Sequence, residues 1–244
     1  MKFILAKKVA MTQVFTPEGK VIAATKLVAE PCKIVALKDQ KSDGYLAVQV
    51  GFGKKKKVSK ALAGQLKGLG NFAQLKEFRF DKKGETKLPE VKVGDEVKVS
   101  VFAIGDKLNI TGWAKGRGFQ GVVRRHHFAG GPKTHGHKDN LRMPGAIGSG
   151  GIQKVFKGLR MPGHMGTQQV FLQGSKVLEI NETDNSLLVS GSLPGARNGL
   201  LIITALGELK IAQVAELVEQ PVAEVVTEAS VVTEAPVSVE EVKV

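Results

Sequence analysis

A single cysteine, Cys32, in 244 residues excludes an internal disulfide and any cysteine-rich zinc site. Aromatic residues are also scarce, at 5% of the chain, although the 42% hydrophobic content is enough for a buried core. The length fits one large domain or two small ones. No apolar run approaches the ~20 residues that a membrane-crossing helix needs. The opening MKFILAKKVAMTQVF has only a short apolar patch before Lys7 and Lys8. That patch is too short for the apolar region of a secretory signal, so the expectation is a cytoplasmic protein.

Acid is missing from one long stretch. Residues 112–167 hold ten Lys or Arg against one acid, Asp139. The same stretch holds all five histidines and 14 of the 29 glycines. The whole chain carries a net charge of +13, yet residues 213–244 contain seven Glu and one Lys. The basic charge is therefore concentrated rather than spread, which points to a polyanion partner, nucleic acid above all. A merely solvated basic surface is the plainer alternative.

Residues 1–53 read as strands. MTQVF, VIAATKLVA, KIVALKD and YLAVQVGFG are separated by the turn signals TPEGK, Pro31 and SDG, a spacing that suggests a small barrel or sandwich. The KKKK run at Lys54 to Lys57 reads as a loop, and residues 59–70 as a short, glycine-weakened helix. KEFRF, VKVGDEVKVSVFA and KLNITG return to strand patterning, as does the chain from residue 168, with a hairpin and a final strand after the turn PGARNG. Residues 112–167 have neither strand nor helix periodicity. So long an irregular segment is uncommon inside a compact domain, and the expectation is an extended arm, inserted in the barrel and ordered by a partner. Residues 1–111 and 168–212 then form the two parts of the barrel domain. Residues 213–244, with VVTEA twice and two prolines, read as a disordered acidic tail.

Two motifs in the arm invite catalytic or cofactor readings. GRGFQG at 116–121 matches the dinucleotide fingerprint, and with the following VV it also fits a kinase glycine-rich loop. A dinucleotide site needs a buried strand before it and an amphipathic helix after it, and VVRRHHFAGGPKTHGH predicts no helix. No DFG or HRD follows for a kinase. His126, His127, His135 and His137 could form a metal site, but only Asp139 lies nearby as a carboxylate, and ligating histidines need a rigid scaffold and outer acceptors. One carboxylate in 56 residues leaves general acid–base catalysis without its parts. No metal, cofactor or enzymatic activity is expected.

RNA fits these residues better. Arg and Lys neutralise phosphates, glycine lets backbone approach closely, and Phe119, Phe128, Phe156 and the histidines can stack on splayed bases. LRMPG occurs twice, in LRMPGAIG at 141–148 and LRMPGHMG at 159–166. Two copies are too few for a repeat architecture, but they suit the outgoing and returning legs of a loop. Each leg offers one arginine, Arg142 or Arg160, and a Pro-Gly bend. The turn between them is small and glycine-rich.

The segments TGWAKGRGFQGVVRRHHFAGGPKTHGH, RMPGAIG, KVFKGLRMPGHMG and LLVSGSLPGARNGLLII, with the opening KKVAMTQVFTPEGKVIAATKL, resemble the bacterial large-subunit ribosomal protein L3 family over about residues 1–210. The resemblance implies a mainly β fold, a translation-protein-type β-barrel with a long inserted arm. It implies a structural constituent of the large subunit that binds 23S rRNA near its 3′ end early in assembly, with neighbouring large-subunit proteins as further partners. The family's rRNA-contacting arm then falls here on Lys115, Arg117, Arg124, Arg125, His126, His127, Lys133, His135, His137, Lys138, Arg142, Lys154, Lys157, Arg160 and His164. The tip approaching the peptidyl-transferase centre falls on Ile147, Gly148, Ser149, Gly150, Gly151, Ile152 and Gln153. Some family members carry a methylated Gln in a tip written IGQNQTPG. Here the tip reads IGSGGIQ, Gln153 does not align with that Gln, and the modification is not carried over. A free-standing RNA-binding or RNA-chaperone factor is the rival reading.

Overall fold

Alternating burial decides which strands close on one another. The computed structural model describes residues 1–80 and 89–209. The expected acidic tail lies outside the described residues. In chain order the strands begin with β1 (Lys2–Phe15), β2 (Val21–Val28), β3 (Cys32–Lys38) and β4 (Ala47–Lys54). A short helix, α1 (Lys60–Gln65), precedes β5 (Phe72–Arg79), β6 (Glu96–Val97) and β7 (Lys107–Trp113). Next come β8 (Gly118–Gln120), a second short helix α2 (Val122–His126) and β9 (Gly163–Met165). The chain then enters β10 (Gln169–Asn181), β11 (Ser186–Ser190) and β12 (Leu200–Ala205). The protein is mainly β.

Six strands close a barrel in the order β1-β12-β7-β10-β11-β2, every neighbour antiparallel. In β12, Leu201, Ile203 and Ala205 are buried while the residues between them are partly exposed, the period of two expected of a stave. Register carries that face across the barrel: Ile4 of β1 opposes Ile203, which opposes Ile110 of β7. A one-residue slip would turn all of these toward solvent, so the buried face specifies the pairing.

Among the described residues of the first 113, only β1, β2 and β7 are barrel staves. The others build a second sheet, β5-β4-β3-β6, between β2 and β7 in the chain. β1 serves both layers. Ile4 belongs to the barrel ladder, whereas its neighbour Phe3 stacks on Phe78 of β5 with ring centroids 4.4 Å apart. This explains why Phe3, Ile4, Leu5 and Ala6 are all fully buried in succession, a run that alternation alone would not give. Cys32 lies in the same core, and burial pushes its thiol up to about 12, so it is a poor nucleophile.

An ion pair joins the start of β1 to the residue before β7. Lys2 Nζ donates to Asp106 Oδ2 at 2.8 Å, and the Ala103 N–H donates to the same oxygen at 3.0 Å. The Lys2 bond first, and the Ala103 bond second, hold the Asp106 carboxyl below its ordinary value. A depressed folded value means the contribution is present above the unfolded carboxylate value, roughly 3.9, and is lost as pH falls through the folded one. Asp106→Asn should therefore cost about 1 kcal/mol in urea unfolding at pH 7, with the gap to wild type closing in acid below that window. A gap that persists unchanged in acid would refute the assignment.

Candidate nucleic-acid interface

The basic segment is the connection between two adjacent antiparallel staves, β7 and β10. Trp113 pairs with Gln169. Beyond that pair the ladder continues, with Ala114 N donating to Gln168 O at 2.9 Å and Arg117 N donating to Met165 O at 2.9 Å. The two legs then pair as β8 and β9, Gly118 with Met165 and Gln120 with Gly163. The arm is thus a very long hairpin loop whose root extends the barrel wall.

Two side chains of α2 lock the returning leg. Arg125 Nη1 donates to Met161 O at 2.7 Å, and His126 Nε2 lies 3.0 Å from the same oxygen. At the root, Gly166 has φ +86°, and a Cβ there would run into the Lys115 carbonyl oxygen. Gly130, at φ +75°, faces the Leu141 carbonyl oxygen just as closely, and Gly131 N donates to that oxygen at 3.0 Å. The two LRMPG copies therefore do different work. The carbonyl of Leu141 closes a small loop within the outgoing leg, whereas that of Met161 fastens the returning leg to α2.

The sequence expected no helix after GRGFQG, and α2 corrects that. It is five residues long, is preceded by Gly121 at its N-cap and is followed by the left-handed residue His127 at φ 61°. So short a helix has no amphipathic period to read; its placement comes from contacts to Met161, 35 residues away in sequence. The glycine motif itself lies in the exposed two-stranded ribbon, not on a buried parallel strand, so the dinucleotide geometry is absent.

The predicted contact residues fall into two groups. Arg125, His126, His137 and His164 are engaged or half-buried, His164 Nε2 lying 2.9 Å from Thr167 Oγ1. His137 Nδ1 has no hydrogen-bond partner; its ring lines a pocket of about 750 Å³ with Phe128, Asn140 and Met143. Lys115, Arg117, Arg124, His127, Lys133, His135, Lys138, Arg142, Lys154, Lys157 and Arg160 are exposed. Arg124 contacts Gln120 Oε1 at 3.3 Å. Among the described residues, none of the arm's cations is in an ion pair. No group of three or more His, Cys, Asp or Glu side chains there could share a metal.

Apolar side chains are left uncovered beside this charge. Phe119 is 76% exposed, Phe156 54% and Met143 52%. The tip residues Ile147 to Gln153 are all exposed, and Ile152 N donates to Ser149 O at 3.2 Å to make the turn. At Gly148, Gly150 and Gly151 an added Cβ would meet nothing within 4 Å, and none has a positive φ. Nothing among the described residues asks for glycine at these three positions.

A family description, Ribosomal protein L3, matches residues 87–193 and so contains the entire arm. A large ribosomal subunit protein uL3 from Dehalococcoides mccartyi is 43% identical over 206 residues, spanning 84% of this chain and 98% of that relative. One from Herpetosiphon aurantiacus is 46% identical over 205 residues, spanning 82% and 94%. One from Thermosipho africanus is 43% identical over 206 residues, spanning 83% and 97%.

The chain belongs to the ribosomal protein L3 family. Members of the L3 family are structural components of the ribosome and not enzymes. The free cations and bare aromatic rings are what a scaffold shaped for RNA would carry.

Proposed function

We propose that this L3-family protein binds 23S rRNA near its 3′ end early in subunit assembly, with the arm inserted in RNA and its tip approaching the peptidyl-transferase centre. The coarser statement follows from the family: the chain is a structural constituent of the large ribosomal subunit, located in the ribosome in the cytoplasm, with rRNA and neighbouring ribosomal proteins as partners. The observation that carries the finer reading is the pairing of unpaired cations with uncovered apolar side chains on an arm braced only at its root. A solvated loop gains nothing from a Phe that is 76% exposed; an RNA-embedded one can stack it on a base, at about 1–3 kcal/mol per stacked base.

Crosslinking of residues 112–167 in assembled subunits tests this. Crosslinks should map to 23S rRNA near the 3′ end and, from residues 147–153, to the peptidyl-transferase region. Crosslinks only to proteins would overturn it. Sedimentation of tagged protein separates it from a free-standing RNA-binding factor, since stoichiometric migration with large subunits is expected. The repeat arginines allow a sharper check. Arg142 and Arg160 are exposed and make no ion pair among the described residues. Arg142→Ala with Arg160→Ala should flatten the log–log salt dependence of rRNA binding by about one to two units and leave the thermal midpoint unchanged. An unchanged slope would mean that neither meets a phosphate.

A further inference from the structure

Away from the arm, residues 44–76 contain seven Lys and no Asp or Glu. Lys54 ends β4, where the sequence expected a loop, and Lys55 to Lys57, Lys60 and Lys67 lie between β4 and β5; all six are exposed. The frame beneath them is fixed. Lys54 pairs with Phe72 across the ladder, and Lys55 N donates to Asn71 O at 3.1 Å. Leu66, just after α1, is buried. The lysines thus project from an anchored lobe.

Lysines elsewhere in the second sheet are engaged, Lys76 lying 5.2 Å from the centroid of the Trp113 ring and two others forming ion pairs. Lys33 pairs with Glu96 at 3.5 Å, and Lys38 with Glu77 at 3.5 Å. Among the described residues, no ion pair involves a lysine of the lobe. A surface designed for solubility alone mixes signs, as the body of this sheet does; the lobe does not. Its one large exposed apolar side chain is Leu62, at 40%. It offers no bare aromatic ring for stacking and too little apolar surface to enter a bilayer.

We propose that the lobe at residues 54–71 is a second, separate binding surface that takes the phosphate backbone of RNA by charge alone, without reading bases. The identity of the polyanion as RNA rests on the function proposed above; the existence of the surface does not. Its role is to fix the β-body on RNA while the arm threads elsewhere.

The test uses the full-length chain and large-subunit rRNA over a salt series. Lys54→Gln, Lys55→Gln, Lys56→Gln and Lys57→Gln together should lower the salt slope by about three units, since each phosphate contact contributes about 0.7 to 0.9. The loss should add to that of the Arg142/Arg160 variant, and the thermal midpoint should not move. The four Lys→Arg changes, which keep the charge, should retain the wild-type slope even where packing suffers. A wild-type slope for the glutamine variant, beside a flattened one for the arm variant, would overturn the lobe and leave the arm standing. Unchanged slopes in both would overturn the RNA reading as well. Tighter lobe-dependent binding to polyglutamate than to RNA of equal charge would assign the surface to an acidic protein segment, against the proposal.

Discussion

Gly166→Val should leave the barrel folded and cost the protein at least tenfold in rRNA affinity. Gly166 sits at φ +86°, where a β-branched residue is strained, and its Cβ would overlap the Lys115 carbonyl oxygen. Backbone meets backbone here, so no side-chain rotation relieves the clash; the legs must separate. The root has little to resist that. β8 and β9 share three residue pairs, and a ribbon of that size is not stable alone in water. Once the legs part, the lock from Arg125 to Met161 loses its register. The arm then samples many directions, and RNA binding must supply the ordering entropy that the root had already met, about 1–2 kcal/mol for each residue newly fixed. Thermal unfolding and filter binding together check this. A midpoint near wild type with weakened binding is the expected pair of results. Wild-type affinity would show that RNA alone orders the arm and that the root is incidental.

That result bears on what the sequence could disclose. The staves were legible as short apolar runs between turn signals, and in β7 and β12 burial also alternates, LLIITA turning Leu201, Ile203 and Ala205 inward. The split of the early strands between a barrel and a second sheet was not, since both use the same pattern and Phe3 and Ile4 serve opposite layers. The arm was legible as charge and glycine, but its root was not. Gly118 and Met165 pair across 47 positions, and three-residue strands leave no period to detect. α2 escaped for the same reason. The signal for the root was there in Gly166, yet a single glycine among fourteen in the segment cannot announce which one faces a carbonyl. The lysines at 54–57 are visible in the sequence as a run, but a run alone suits a plain loop. The structure adds that Lys33 and Lys38 of the same sheet are in ion pairs while, among the described residues, these lysines are in none.

The tip poses the opposite problem from Gly166, and its test separates demands made by the chain from demands made by a partner. Gly150 and Gly151 have ordinary φ values and open space where a Cβ would go. Gly150→Val with Gly151→Val should therefore leave the free protein's thermal midpoint unchanged, and the salt slope of binding as well, because residues 147–153 carry no charge. If the tip lies against RNA near the peptidyl-transferase centre, the added side chains have nowhere to go once the subunit closes. Overpacking of a tightly packed site typically costs about 1–3 kcal/mol, enough to slow late maturation of the large subunit or peptide-bond formation by roughly 5- to 160-fold. The measurement is made on subunits assembled with the variant: gradient profiles for late precursors, and single-turnover peptidyl transfer on those that mature. A defect that appears only there, with the isolated protein unaffected, is the expected outcome. Subunits that assemble and react at wild-type rates would reduce the tip to a passive turn and withdraw its placement beside the reaction centre, while leaving the arm's phosphate contacts to stand on the salt measurements.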